Sequence, residues 1–258
     1  MNDATSWWGA HEVPIGSQLR LSLGSLDLWV QHLANEWRIA RTRDPDPLRD
    51  ERSLQLSDIE VLPDGIEQER FATDRPDAQL TLAPRTADRA FVVRPSAPLS
   101  LVAEDSVSFF CSTPLWLALS VGGAPLTELP TSRPNDSWFG DSTRVGQLCY
   151  AGRTAARLRV QALLRRPGRV YTEVRLINHG SDLLRIERVQ LPLPHARLGL
   201  ATDHTVWTPP VTVERQGDKP DADMKVGALA PELRPVGDGP RLAGSPSIMV
   251  RALSALLS

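Results

Sequence analysis

Residues 19–30 read Leu-Arg-Leu-Ser-Leu-Gly-Ser-Leu-Asp-Leu-Trp-Val, and their pattern indicates the fold class. Leucines at every second position lie on both sides of Gly24-Ser25, which is the pattern of two short strands joined by a tight turn. Ala34-Asn35 predicts a second turn, and the apolar alternation resumes beyond it with Trp37 and Ile39. The stretch therefore predicts a meander of short antiparallel strands.

The period of two recurs along most of the remaining chain. The nearly continuous apolar run at 115–121 predicts a central strand that is covered on both faces. Ser245 and Pro246 have the residue types of a helix start, and apolar residues follow them, which predicts a short C-terminal helix over 246–258. We expect a mainly β protein, an antiparallel β-sandwich of immunoglobulin-like or jelly-roll-like type, with that short C-terminal helix.

The clearest alternation in the second half of the chain predicts a long hairpin. Residues 170–176 alternate apolar and polar side chains, residues 178–182 have the composition of a turn, and a return strand begins at Leu184. The apolar phase slips by one residue between Ile186 and Val189. That slip predicts a β-bulge in the return strand, since a bulge inserts one extra residue.

The length of 258 residues does not decide the number of domains. A boundary near residue 95 would separate an N-terminal β-sheet unit, 1–95, from a β-sandwich with the C-terminal helix, 96–258. A single β domain covering 1–258 fits the same pattern. The sequence leaves both alternatives open.

Composition and charge exclude several classes of partner and compartment. The net charge of −2 favours neither nucleic acid nor an anionic membrane surface as a bulk partner. No apolar run is long enough for a transmembrane segment, and the first residues lack the basic and apolar regions of a signal peptide. Cys111 and Cys149 lie in apolar strand-like runs, so we expect two buried free thiols in a cytoplasmic protein.

Familiar catalytic and metal-binding motifs are absent from the sequence. There is no phosphate-binding loop, dinucleotide fingerprint, nucleophile elbow or His-Glu-x-x-His motif. The five histidines include no pair spaced two apart on one predicted strand. We expect no metal and no cofactor, and the sequence favours a protein that is not an enzyme without closing that question.

Residues 135–141, Asn-Asp-Ser-Trp-Phe-Gly-Asp, contain the candidate site. The composition is that of a loop, in which large aromatic side chains either anchor the loop to the core or face a ligand or partner. Two carboxylates beside an aromatic ring also fit acid–base chemistry on a sugar, whereas the simpler interpretation is that they bond the backbone of the turn. We assign no catalytic residue. The candidate ligand- or partner-binding residues are Asp136, Trp138, Phe139 and Asp141.

Three blocks of sequence together resemble a known prokaryotic family, the domain of unknown function 432. These blocks are residues 111–116 (Cys-Ser-Thr-Pro-Leu-Trp), 136–141 (Asp-Ser-Trp-Phe-Gly-Asp) and 148–151 (Leu-Cys-Tyr-Ala), and residues 92–95 and Trp8-Gly9 fit the same family. The resemblance covers nearly the whole chain. The family has no assigned activity, so the resemblance implies no catalytic residue. Its members are associated by gene neighbourhood with small mechanosensitive channels, which implies a protein partner in the membrane.

Two classes of function follow from these observations, besides a purely structural role in an assembly. The first is a non-enzymatic β-sandwich that serves as a binding or regulatory module. It would be a partner of a mechanosensitive membrane channel or would associate with itself, and it would lie in the cytoplasm or at the membrane periphery. The second is a carbohydrate- or small-ligand-binding protein or hydrolase that uses Asp136, Trp138 and Asp141. The orientation of the two carboxylates, toward a cleft or toward their own backbone, distinguishes the two classes.

Overall fold

The computed structural model describes residues 6–46, 48–75, 78–140, 146–217, 222–244 and 248–250. These residues form 23 strands and two single turns of 3-10 helix, which confirms the predicted mainly β fold. The first twelve strands are β1 (Gly9–His11), β2 (Ser17–Leu23), β3 (Leu26–Leu33), β4 (Glu36–Arg43), β5 (Arg52–Asp58), β6 (Glu67–Ala72), β7 (Leu80–Arg85), β8 (Phe91–Pro95), β9 (Leu99–Leu101), β10 (Asp105–Pro114), β11 (Trp116–Val121) and β12 (Ala124–Pro130).

The remaining strands lie in the second half of the chain. They are β13 (Asn135–Phe139), β14 (Gln147–Thr154), β15 (Arg169–Asn178), β16 (Leu184–Ile186), β17 (Val189–Leu191), β18 (Leu198–Leu200), β19 (Val206–Trp207), β20 (Val211–Arg215), β21 (Ala222–Val226), β22 (Arg234–Val236) and β23 (Ile248–Val250). The 3-10 turns are Val160–Ala162 and Leu193–His195.

The strands gather into two compact units, and neither unit is one continuous segment. Unit 1 comprises residues 1–85, 115–133 and 166–168. Unit 2 comprises residues 86–114, 134–165 and 169–258. The boundary predicted near residue 95 lies within unit 2, at the end of β8. Whether the chain folds as one domain or as two is not decided by this division, and both alternatives stay predictions.

Unit 1 is an antiparallel β-sandwich. One sheet has the strand order β5-β2-β3-β4-β6 and the other has the order β1-β7-β11-β12. The meander predicted from residues 19–39 is present as β2, β3 and β4, with Leu21 opposite Leu28 and Val30 opposite Ile39. The predicted central strand at 115–121 is also confirmed, since β11 lies between β7 and β12. Side chains of both sheets line the same two cavities, which shows that the sheets face each other.

Unit 2 is organised around β15, which pairs along both of its edges. One edge pairs with β10 over ten residues, from Asp105 opposite Asn178 to Pro114 opposite Arg169. The other edge lies parallel to β19 and then to β20. Pro209-Pro210 separates those two short strands, because proline has no N–H to continue a ladder.

The second sheet of unit 2 positions the candidate site. Its strand order is β13-β14-β8-β17, in which β14 and β8 are parallel and the other two pairs are antiparallel. Phe91, Val92 and Val93 of β8 are all at most 3% exposed, so the centre of this sheet is covered on both faces. Within the described part of the chain, β13 is the edge strand of this sheet and pairs with β14 on one side only.

Both cysteines lie in unit 2 and are buried and free, as expected. Cys111 is on β10, and its Sγ lies 3.7 Å from the carbonyl oxygen of Thr172 on β15. Burial raises the pKa of the Cys111 thiol to about 12, because an apolar surrounding disfavours the thiolate. Cys111 is therefore a core residue in its neutral form.

The predicted hairpin with a β-bulge after residue 169 is wrong. Strand β15 does not pair with the segment that follows the turn; β16 pairs with β9, and β17 pairs with β8 in the other sheet. The phase slip between Ile186 and Val189 marks the point at which the chain changes sheet. A bulge and a change of sheet leave the same trace in the sequence, because both reverse the face that receives the apolar side chains.

The predicted C-terminal helix is not shown. Residues Ile248–Val250 form strand β23, which pairs antiparallel with β21, opposite Ala222–Met224. The remainder of the predicted helix lies outside the described residues. A free edge of β21 supplies backbone partners for these three residues, and isoleucine and valine favour a strand over a helix.

Candidate functional site

The candidate segment forms an edge strand, so its interpretation as a loop is wrong over Asn135–Phe139. These residues are β13, which pairs antiparallel with β14 from Asn135 opposite Ala151 to Phe139 opposite Gln147. The pairing satisfies the backbone groups that a loop would leave to water, and tryptophan and phenylalanine fit a pleated strand. The alternation of a strand then divides the candidate residues between two faces.

Asp136 and Trp138 lie on the outward face of this strand. Their cross-strand neighbours on β14 are Tyr150 and Leu148, which share the same face. Trp138 is 39% exposed and Leu148 is 46% exposed. The outer face of β13 and β14 therefore presents an adjacent aromatic and aliphatic pair to solvent, and we call the set Arg89, Asp136, Trp138, Leu148 and Tyr150 the Trp138 face.

The charged side of the Trp138 face is a chain of close contacts. Asp136 accepts a hydrogen bond from the Arg89 guanidinium, with 3.2 Å between Oδ1 and Nη1. The same guanidinium lies over the Tyr150 ring, 5.2 Å from its centroid. The hydroxyl of Tyr150 donates to Asp88 at 2.9 Å. The Arg89 guanidinium, the Asp88 and Asp136 carboxylates and the Tyr150 phenol therefore hold one another in position.

The environment of Tyr150 raises the pKa of its hydroxyl to about 12. Burial is the largest cause, followed by the hydrogen bond that the phenol donates to the Asp88 carboxylate and by the charge of that carboxylate. Each of these disfavours the phenolate. Tyr150 therefore acts on this face as a neutral hydrogen-bond donor and aromatic surface.

Phe139 lies on the opposite, buried face. This position is consistent with an aromatic ring that anchors the segment to the core. It is 7% exposed, and the guanidinium of Arg188 lies 5.2 Å from its ring centroid. On the same buried side, the amide of Gln190 donates to the Sγ of Cys149 at 3.3 Å. Phe139 thus attaches the edge strand to the interior of unit 2, while Trp138 remains at the surface.

Gly146 provides the space that the Trp138 indole occupies. A Cβ at this position would lie 2.1 Å from Trp138 Nε1 and 2.8 Å from the Phe139 carbonyl oxygen. Any side chain at residue 146 would displace the indole or the end of β13, because real Cβ atoms do not approach other atoms so closely. The Trp138 indole therefore packs closely against the backbone of Gly146.

The predicted pair of carboxylates is not brought together by the described structure. Asp136 is 67% exposed in its side chain and is paired with Arg89, and Asp141 lies outside the described residues. Among the residues that the structure describes, no group of three or more histidine, cysteine, aspartate or glutamate side chains is placed to hold a metal ion. The Trp138 face therefore presents an exposed apolar pair, Trp138 and Leu148, beside the Arg89–Asp136 ion pair.

Arg89, Leu148 and Tyr150 are members of the site that the sequence does not predict. Leu148 and Tyr150 stand in one of the blocks that resemble the family, and they become site residues only through their register with Trp138 and Asp136. Arg89 reaches the site because β8, which follows it, lies parallel to β14. The sequence carries no signal for that parallel pairing, because it joins segments about sixty residues apart.

Unit 1 contains a separate cleft between the inner faces of its two sheets. Its volume is about 540 Å³, and it is lined by leucines of β2 and β5 on one side and by residues of β1 and Gln79 on the other. A smaller cavity of about 250 Å³, lined in part by Trp37 and Phe71, lies between the opposite edges of the same sheets. The 540 Å³ cleft is of the size that small ligands or a few side chains occupy.

Comparison with known proteins assigns the chain to a family. The model of a family described as protein of unknown function (DUF432) matches residues 7–252, which is nearly the whole chain and confirms the resemblance noted in the sequence. No curated protein and no solved structure matches the chain. Within the described residues, no helix has both the length and the apolar character that crossing a membrane requires.

Proposed function

The chain belongs to the DUF432 family, and from that premise we propose that it is a non-enzymatic binding module which contacts a protein partner through the Trp138 face. The single observation that carries the proposal is the cross-strand pair of Trp138 and Leu148, 39% and 46% exposed on an edge strand. Large apolar side chains that a fold holds at its surface contribute free energy when a partner covers them.

The surroundings of the pair support contact with a protein. Tryptophan, tyrosine and arginine are the residue types that contribute most to protein interfaces, and Trp138, Tyr150 and Arg89 lie together here. The Arg89–Asp136 ion pair and the Tyr150 hydroxyl provide polar contacts around the apolar pair. This arrangement matches the apolar centre and polar rim of an interface.

The partner that we propose is a mechanosensitive membrane channel, because the family is associated with such channels by gene neighbourhood. The protein would then lie in the cytoplasm, at the membrane periphery, and would be held there by the channel.

A comparative pull-down from native membranes tests this proposal. Leu148→Asp places a charge at the centre of the Trp138 face, whereas Leu158→Asp places the same charge at another exposed leucine of unit 2, 53% exposed. We expect the wild-type protein and Leu158→Asp to recover the channel and Leu148→Asp to lose it by at least about tenfold. Equal recovery by all three proteins would overturn the proposal.

A carbohydrate- or small-ligand-binding function is the second candidate, and one observation favours it. The exposed Trp138 ring lies on the same face as the Asp136 carboxylate, an arrangement in which a sugar ring stacks on the indole and bonds the acid. The pairing of Asp136 with Arg89 favours binding over acid–base catalysis. A glycan array probed with the wild-type protein and Trp138→Ala tests this function, which requires a signal that the variant loses.

A further inference from the structure

Strand β5 is an open edge of the unit 1 sandwich. In the sheet order β5-β2-β3-β4-β6 it stands at one end, and among the residues that the structure describes it pairs only with β2. An open edge exposes a row of backbone N–H and C=O groups, and native proteins commonly protect such an edge or use it for pairing.

The backbone direction shows which residues of β5 face the open edge. Just outside the strand, the Glu51 carbonyl accepts from Gly24 N–H at 2.8 Å, and Ile59 N–H donates to the Gly16 carbonyl at 3.1 Å. Since hydrogen-bonded pairs alternate along an antiparallel ladder, the odd-numbered residues of β5 bond to β2. The N–H and C=O groups of the even-numbered residues point away from β2, and these residues are Arg52, Leu54, Leu56 and Asp58.

The same four residues share the inner face of the sandwich. Leu54 and Leu56 lie opposite Leu21 and Leu19 of β2, which are 1% and 5% exposed. Leu56 is nevertheless 54% exposed, and it lines the 540 Å³ cleft together with Leu54 and Leu19. The inner face of the sandwich is therefore incompletely covered along its β5 edge.

The sequence of β5 is complementary to itself in the antiparallel direction. It reads Arg-Ser-Leu-Gln-Leu-Ser-Asp, with Gln55 at its centre. Placed antiparallel to a second copy about Gln55, Leu54 meets Leu56, Ser53 meets Ser57 and Arg52 meets Asp58. We propose that two copies of this chain associate through β5, with this register, to form one continuous sheet across a two-fold axis.

The geometry of the ladder is compatible with this register. The pairs Arg52–Asp58 and Leu54–Leu56 use the even-numbered residues, whose backbone groups point to the open edge. Gln55 meets its own copy at a pair without ladder hydrogen bonds, where a two-fold axis perpendicular to an antiparallel sheet can stand. The two clefts then lie on the same face of the joined sheet and open toward each other, so each copy covers the leucines of the other.

Charge selects a second copy as the occupant of this edge. Within the described residues, neither Arg52 nor Asp58 forms an ion pair, and both are exposed. The proposed register gives each of them a partner of opposite sign on the inner row, at both ends of the ladder. With a net charge of only −2 per chain, two copies approach each other without strong general repulsion.

Reciprocal charge reversal tests the proposal in solution. Sedimentation velocity over a dilution series should show the full-length wild-type protein approaching twice the chain mass of 28.4 kDa. Arg52→Asp places two aspartates opposite each other at both ends of the ladder, and Asp58→Arg places two arginines there. Each variant alone should dimerise about tenfold or more less tightly, because like charges directly opposite on a sheet repel.

Mixing the two variants is the critical measurement. A chain with Arg52→Asp and a chain with Asp58→Arg are complementary to each other at both ends, so the mixture should form a heterodimer in native mass spectrometry. The double variant Arg52→Asp/Asp58→Arg should recover self-association. Arg234→Asp, a reversal at an exposed arginine on the strand β22, should leave the dimer unchanged.

Three results would overturn the proposal. One is a wild-type protein that stays monomeric at the highest concentration, as it would if a different partner occupied this edge. Another is a single variant that associates as tightly as the wild type. The third is a mixture of the two variants that forms no heterodimer. Both variants must show the wild-type circular dichroism spectrum, so that loss of folding is excluded as the explanation.

Discussion

At the scale of single residues, Tyr150 connects the polar contacts of the Trp138 face. Its ring lies under the Arg89 guanidinium, its hydroxyl donates to Asp88, and its backbone holds the register with Asp136. The ionisation of the Tyr150 hydroxyl can be measured, and it depends on the charges of the neighbouring Asp88 and Arg89.

The ionisation of Tyr150 gives the first prediction. Asp88→Asn removes both the carboxylate charge and the acceptor for the neutral phenol, so the pKa of Tyr150 should fall from about 12. It should remain above its usual value, because burial, the largest cause, is unchanged. Near-ultraviolet titration, with the spectrum of Tyr150→Phe subtracted, measures it.

Asp136→Asn serves as the control for that prediction. The Asp136 charge is a smaller cause of the same upward shift in the pKa of Tyr150, so this variant should lower the pKa less than Asp88→Asn does. A Tyr150 that titrates identically in the wild-type protein and in Asp88→Asn would contradict the described contact.

The contact between Gly146 and Trp138 gives the second prediction. Gly146→Ala would place a Cβ 2.1 Å from the indole nitrogen, and we expect the free energy of unfolding to fall by about 1–3 kcal/mol. Trp138→Val removes the indole, so the double variant should lose less than the sum of the two single losses. Urea denaturation of the four proteins measures the coupling, and strictly additive losses would show that the two residues do not touch.

At the scale of elements, the turn between β2 and β3 shows why that meander could be predicted. Gly24 has φ +60, a conformation that glycine adopts without strain, and its neighbours Leu23 and Leu26 are fully buried. The signals for strand, turn and strand are all local in the chain. The meander can therefore be predicted from the sequence alone.

Gly24 also gives the third prediction. A Cβ there would meet the Pro167 carbonyl oxygen at 2.9 Å, whereas a Cβ at Gly65, which has φ +73, would have no other atom within 4 Å. Gly65→Ala should therefore lower the free energy of unfolding by about 1–2 kcal/mol, through left-handed backbone strain alone. Gly24→Ala should lower it by about 1–3 kcal/mol more, because of the additional contact. Equal losses in urea denaturation would contradict the close approach of Pro167.

The pairing of β15 could not be predicted, although the strand itself could. Its alternation from Val170 to Leu176 identifies a strand, but its partners are β10, β19 and β20, which stand far from it in the chain. Nothing local distinguishes these partners from the nearby segment at Leu184. The same limit applies to the site: the sequence identified Asp136 and Trp138, whereas Arg89 joins them only through a parallel pairing.

At the scale of the whole molecule, the two compact units are built from interleaved segments. Strands β1 and β7 of unit 1 come from the first 85 residues, while β11 and β12 of the same sheet come from residues 116–130. The boundary predicted near residue 95 therefore does not mark where one unit ends. We propose that the chain is a single β domain, because its two units are built from interleaved segments.

Truncation gives the fourth prediction. A fragment of residues 1–95 lacks β11 and β12, so β7 loses its partner along one edge, and the fully buried Leu80 and Leu82 lose their cross-strand neighbours Val121 and Leu119. We expect this fragment to show no cooperative thermal unfolding by circular dichroism, in contrast to the full chain. A sharp transition in the fragment would instead support an independent N-terminal domain.

Binding of a protein partner by the Trp138 face is the central proposal, and site-specific photo-cross-linking in the native cell tests it most directly. A photoreactive phenylalanine analogue replaces Leu148 in one chain and, as the control, the similarly exposed Leu158 in another. We predict one discrete cross-linked adduct from position 148 that position 158 does not give. No adduct at position 148, or the same adducts from both positions, would contradict the proposal.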